Sequence, residues 1–112
     1  MDPAEVRSRL EELRAEALGR LDGLRASKTD LVDAARDSNV DDEHDPEGAT
    51  IAFERAQVDA LADDVAKRLA EIDAAERRLD DGTYGLCAVG GEPIDDARLM
   101  ARPTATTCVA HA

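Results

Sequence analysis

Ile51, Val58, Val65, Ile72 and Leu79 follow one another at intervals of seven residues. A row of this kind, mostly β-branched, is the seam of a coiled coil. It demands a long helix and a second helix to cover it. Leu61 and Ala75 belong to an interleaved row that Glu54 and Arg68 interrupt. The helix is expected from Pro46 to Leu79. Asp45 would serve as N-cap, Pro46 as first helical residue, and Glu47 as an acid favoured by the helix dipole. Asp81-Gly82 would end it, glycine being suited to a left-handed C-cap.

The covering helix lies upstream. Asp2-Pro3 gives the same entry signal, and Val6, Leu10, Leu13, Ala17, Leu21, Leu24 and Leu31 fall on one face. This helix should fray near Ala35 to Asp37. Gly19 and Gly23 each cost about 1 kcal/mol relative to alanine, and offer a close approach or a slight bend. In residues 37–48 the periodicity stops and turn formers cluster. Two helices of similar length and a short connection should fold back antiparallel. About thirty residues in each correspond to about 45 Å. The expected fold is therefore mainly α: a long antiparallel coiled-coil helical hairpin over residues 1–80, with an acidic tip at 37–48, then a small zinc-ribbon-like module over 81–112. The rival arrangement pairs each helix with another chain.

Composition narrows the function. Aromatic residues make up 2% of the chain, Phe53 and Tyr84 alone, so an aromatic-filled globular core and an aromatic-lined substrate pocket are not expected. The net charge of −12 disfavours a direct grip on nucleic-acid phosphates or an anionic membrane. It suits a partner with a basic surface, or solubility alone. No stretch is apolar for long enough to span a bilayer, and Met1-Asp2-Pro3-Ala4-Glu5 lacks the features of a signal peptide. The expected address is cytoplasmic, where Cys87 and Cys108 stay reduced. No nucleophile–base pair, phosphate-cradling loop or His-Glu-x-x-His motif occurs, so a non-enzymatic binding protein is expected.

From residue 82 onward glycines and prolines bracket short apolar pieces, as in a metal-clipped module. Cys108-x-x-His111 is a chelating pair, two intervening residues letting both side chains reach one ion. Cys87 supplies a third ligand from a separate turn. Gly82-Thr83-Tyr84-Gly85-x-Cys87, with Arg98-Leu99-x-Ala101-x-Pro103-Thr104-Ala105-x-x-Cys108, resembles the TraR/DksA family of RNA polymerase-binding regulators. The match covers residues 82–111 and extends more loosely over the hairpin. Gly90 stands where the family has the second cysteine of its first pair, and His111 where it has the last. The resemblance implies zinc on three retained ligand positions, Cys87, Cys108 and His111. The fourth is open to Glu92, Asp95 or water, unless the site is vestigial and the module stands on packing alone.

The resemblance also implies a partner, RNA polymerase, whose secondary channel the hairpin tip would enter. Asp37, Asp41, Asp42, Glu43, Asp45 and Glu47 repel one another in the tip, and a cationic or metal-containing channel would offset that cost. Glu47-x-Ala49 matches the second half of the family's Asp-x-x-Asp-x-Ala motif, with Asp45 or His44 for its first Asp. The expected partner contacts are Asp41, Asp42, Asp45, Glu47 and Ala49. Asp45 has a plainer role as helix cap. Arg102 matches an arginine that relatives use toward the alarmone ppGpp or polymerase, although Glu71 and Ala112 replace the accompanying lysines. The expectation is a monomeric transcription regulator with no direct DNA contact. Two alternatives stand beside it: a coiled-coil adaptor or self-associating scaffold, and a zinc- or redox-responsive regulator in which Cys87 and Cys108 pair on oxidation.

Overall fold

The computed structural model describes the backbone of residues 1–38 and 46–112. Helix α1 spans Pro3–Ser38 and α2 spans Pro46–Asp81, 36 residues each. A short helix α3 follows at Asp96–Ala101, and a single 3-10 turn at Val109–His111. The described residues contain no strand, only an isolated antiparallel bridge between Leu86 and Pro93. The predicted mainly α architecture, a helical hairpin with an appended module, is what forms. Asp41, Asp42 and Asp45 lie outside the described residues, as does the side chain of Glu47. Ala49 is exposed in the first turn of α2. No described helix is long and apolar enough to cross a membrane.

The entry and exit signals act as the residue types dictate. Asp2 Oδ1 accepts the Ala4 amide at 3.0 Å, and the Asp2 carbonyl accepts Val6 N–H at 3.1 Å, which caps α1. At the end of α2, Gly82 sits at φ +76°. There Thr83 N–H bonds back to Arg78 O at 2.9 Å and Gly82 N–H to Leu79 O at 3.3 Å. This is a Schellman closure, which requires the left-handed residue that glycine supplies without strain.

Contacts divide the chain into two compact units. One joins Met1–Glu16 to Leu69–Ala112, and the other is Ala17–Arg68. In the first, Val6, Leu10 and Leu13 of α1 pack with Ile72 and Ala75 of α2, with Leu79 and Tyr84 against them. Leu10 and Ile72 are wholly buried, each contributing about 1.5–3 kcal/mol of hydrophobic stabilisation. Arg7 pairs with Asp80 at 2.7 Å. Arg14 lies between Asp73 at 2.6 Å and Glu76 at 2.7 Å, and these two carboxylates raise its pKa further.

In the second unit Ala17 and Val65 are buried, while Leu21, Leu24, Leu31, Ile51 and Val58 are half-buried. Lys28 pairs with Asp59 at 2.7 Å. Within the first unit, Arg7–Asp80 and Arg14–Asp73 keep an antiparallel register, one heptad up α1 matching one heptad down α2.

Two expectations are corrected here. Leu61, assigned to the interleaved row, is 39% exposed, whereas Ala62 and Leu69 on the opposite flank of the seam are half-buried. An α-helix drifts by about 20° per heptad against a strict seven-residue repeat, so the buried flank changes along a helix of this length. Gly19 and Gly23 do not serve a close approach, since a Cβ at either would have nothing within 4 Å.

Candidate metal centre

Three backbone devices build the module after α2. Cys87 N–H bonds to Glu92 O at 2.8 Å and Gly91 N–H to Cys87 O at 2.8 Å, closing a tight turn beside the Leu86–Pro93 bridge. Gly91 takes φ +79° to complete it. Ala88 N–H donates to Thr106 O at 2.8 Å and so ties this turn to the segment that carries Cys108. From α3, Arg98 Nε donates to Thr107 O at 2.8 Å, holding that segment from its other side.

Under the turn lies a small core of Cys87, Ile94, Leu99 and Ala105, with Tyr84 and Cys108 against it. Tyr84 also packs on the helical cluster, so one aromatic ring serves both cores of this unit. Its hydroxyl donates to Pro103 O at 2.7 Å. Burial pushes the phenol pKa up, which keeps that donor protonated.

The turn and the C-terminal segment bring four side chains together. Donor atoms of Cys87, Glu92, Cys108 and His111 all lie within 4.8 Å of one another. His111 Nδ1 is 3.4 Å from Cys87 Sγ, 3.1 Å from Cys108 Sγ and 2.7 Å from Glu92 Oε1. Cys108 Sγ donates to Glu92 Oε1 at 2.9 Å. Cys87 is buried, Cys108 and Glu92 are half-buried, and His111 is exposed.

The electrostatics follow from these contacts. Cys87 is lowered to about 7, chiefly by a hydrogen bond from the Gly90 amide, with the Cys108 and Val89 amides and His111 adding to it. The carboxylate of Glu92 accepts the Cys108 proton, which raises the Cys108 thiol and lowers Glu92. His111 is raised, most of all by its contact with the Cys87 sulfur. One sulfur is thus prepared as a thiolate, the other holds its proton against a carboxylate, and an imidazole stands between them. Two thiolates, an imidazole and a carboxylate oxygen are donor types that zinc takes in tetrahedral sites. The residues present fit that ion.

The model of the prokaryotic dksA/traR C4-type zinc finger matches residues 82–110. The solved structure of transcription factor DksA2 from Pseudomonas aeruginosa superimposes with a TM-score of 0.82 at 32% identity, over 97% of this chain and 78% of that one. The chain belongs to the DksA/TraR family. The RNA polymerase-binding transcription factor DksA of Caulobacter vibrioides is 58% identical over 43 residues, 38% of this chain and 30% of its own length. The uncharacterized protein YteA of Bacillus subtilis is 39% identical over 66 residues, 59% of this chain and 28% of its own length. The matched stretches therefore take up less than a third of either curated relative.

Among the sequence-predicted residues, Cys87, Cys108 and His111 converge. Asp95 does not join them; it is exposed at the start of α3, where its carbonyl accepts the Arg98 and Leu99 amides. Arg102 is exposed at the C-terminal end of α3. The groups that lower Cys87 are backbone amides and the neighbouring ligand His111. The sequence signal for those amides is the Gly90-Gly91 pair in a Cys-turn context.

Proposed function

We propose that this protein is a non-enzymatic regulator of transcription that binds RNA polymerase and presents the acidic end of its helical hairpin, residues 37–48, to the polymerase secondary channel. The observation that carries this is the match to DksA2 over 97% of the chain, hairpin and module together. A relative named as RNA polymerase-binding shares 58% identity over 43 residues. The chemistry is consistent with this role. A net charge of −12 suits a cationic channel and disfavours direct contact with DNA. Asp41, Asp42, Asp45, Glu47 and Ala49 are the proposed contacts. Arg102, exposed on the module, is a further proposed contact toward polymerase.

Cys87, Cys108 and His111 would hold zinc. When bound, the ion acts as a structural clip between the 87–92 turn and the C-terminal segment. Val65 is buried within a single chain, which favours a monomer over a seam shared between copies.

The test is in vitro transcription with purified core polymerase, holoenzyme and the full chain, together with a pull-down at low salt. Wild-type protein should be retained by core polymerase and should change transcript yield. The Asp45→Asn/Glu47→Gln double variant should lose the effect on yield while being retained within a few-fold. An unaltered effect in the variant would remove the tip from the mechanism. Failure of the wild type to be retained would remove polymerase as the partner.

A further inference from the structure

The family pattern places the second cysteine of its first pair at position 90, where this chain has glycine. We propose that the carboxylate of Glu92 is the fourth zinc ligand, and that Gly90 is glycine because that carboxylate occupies the space of a residue-90 side chain. This rests on the zinc reading of Cys87, Cys108 and His111 and extends it.

A Cβ built on Gly90 would overlap Glu92 Oε2, and would lie 2.8 Å from both Glu92 Cδ and His111 Cε1. The volume through which a cysteine at 90 would reach the ion is therefore already filled, and by an oxygen donor. The backbone does not ask for glycine here. Gly82, Gly85 and Gly91 all have positive φ, and Gly90 does not. In the Gly90-Gly91 pair, Gly91 serves the turn and Gly90 serves the space.

Glu92 is also held in place. Its carbonyl accepts the Cys87 amide at 2.8 Å, so the ligand and its proposed replacement partner are fixed across the same turn. Its Oε1 lies 2.9 Å from Cys108 Sγ and 2.7 Å from His111 Nδ1, on the side where those two donors converge. Asp95, the other carboxylate near in sequence, is exposed and lies outside the converging set. The shell of two thiolates, one neutral imidazole and one carboxylate carries three negative charges where four cysteines would carry four. Zinc accepts carboxylate oxygen alongside nitrogen and sulfur.

The experiment measures zinc affinity of the full chain by competition with a chromophoric chelator, and ligand type by the absorption of the cobalt-substituted protein. Wild type should take one zinc. Its cobalt form should show tetrahedral bands with charge-transfer intensity for two thiolates. Outer contacts to a metal ligand are worth about 10–100-fold in affinity, so loss of a direct ligand in Glu92→Gln should weaken binding by at least about 100-fold. Gly90→Ala should weaken it by at least about 10-fold, by displacing the carboxylate, while Asp95→Asn leaves it unchanged.

If Glu92→Gln loses its helical circular dichroism, the Gly90→Cys/Glu92→Ala double variant decides. It should bind zinc more tightly than Glu92→Ala alone and show cobalt intensity for three thiolates. Wild-type affinity in Glu92→Gln, or no gain in the double variant over Glu92→Ala, overturns the proposal. If Cys87→Ser and Cys108→Ser abolish binding while Glu92→Gln retains it, the zinc reading stands and only Glu92 is removed. If wild type takes no zinc, both readings fall.

Discussion

Cys87 and Tyr84 show how much single side chains depend on what surrounds them. In the metal-free protein one thiol should titrate near pH 7 and the other above the ordinary thiol range, because amide donors stabilise one thiolate and a carboxylate holds the other proton. Thiolate ultraviolet absorbance followed against pH should show this low-pH step, and Cys87→Ser should remove it. The sign of the linked stability follows. The Cys87 pKa is lower in the folded chain, so its contribution is fully present above pH 9.0 and declines as pH falls toward about 7. Tyr84→Phe keeps the ring that serves both cores but strands the Pro103 carbonyl. A cost of about 1 kcal/mol in urea denaturation is expected, and no change would mean that solvent replaces the phenol.

At the scale of the element, the helices carry both their support and their waste. Ile72 is wholly buried against α1, so Ile72→Ala should cost about 2–5 kcal/mol. Leu61, nominally of the same coiled coil, is 39% exposed, and Leu61→Ala should stay within about 0.5 kcal/mol. Equal losses at the two sites in denaturant midpoints would mean that the seam does not drift as described. Gly19 and Gly23 face open space with ordinary helical backbone. Alanine at either should stabilise the hairpin by about 0.5–1 kcal/mol, read as a raised thermal midpoint. A destabilised variant would indicate that the glycine makes room for something outside the free chain.

For the whole molecule, the decisive coupling is that the module and the adjoining ends of α1 and α2 belong to one compact unit. Zinc bound at the 87–111 centre should therefore stabilise more than its own loops. At a free concentration about 100 times the dissociation constant, linkage gives about 2.7 kcal/mol. Saturating zinc should raise the thermal midpoint of the full chain, and a chelator should return it. An unchanged midpoint would show that the chain takes no ion in the folded state.

The heptad of Ile51, Val58, Val65, Ile72 and Leu79 and the Asp-Pro and Asp-Gly signals were enough to name two helices, their ends within a few residues and their antiparallel pairing. These are local and periodic properties, and periodicity is readable without coordinates. Cys87, Cys108 and His111 were likewise legible, from short spacings and a specific motif. The sequence left the fourth position open among Glu92, Asp95 and water. Only the tertiary structure shows that Glu92, and not Asp95, lies with the thiols, because this turns on which carboxylate the turn at Gly90-Gly91 folds back over them. It also decided the flank of the seam that is buried, where small angular drift adds up over a long helix. Pattern alone determined the two long helices, while α3 and the turn at Val109–His111 emerged only in the structure. Which side chains meet between distant segments was settled by three-dimensional closure, since steric exclusion and hydrogen-bond direction are not written in spacing.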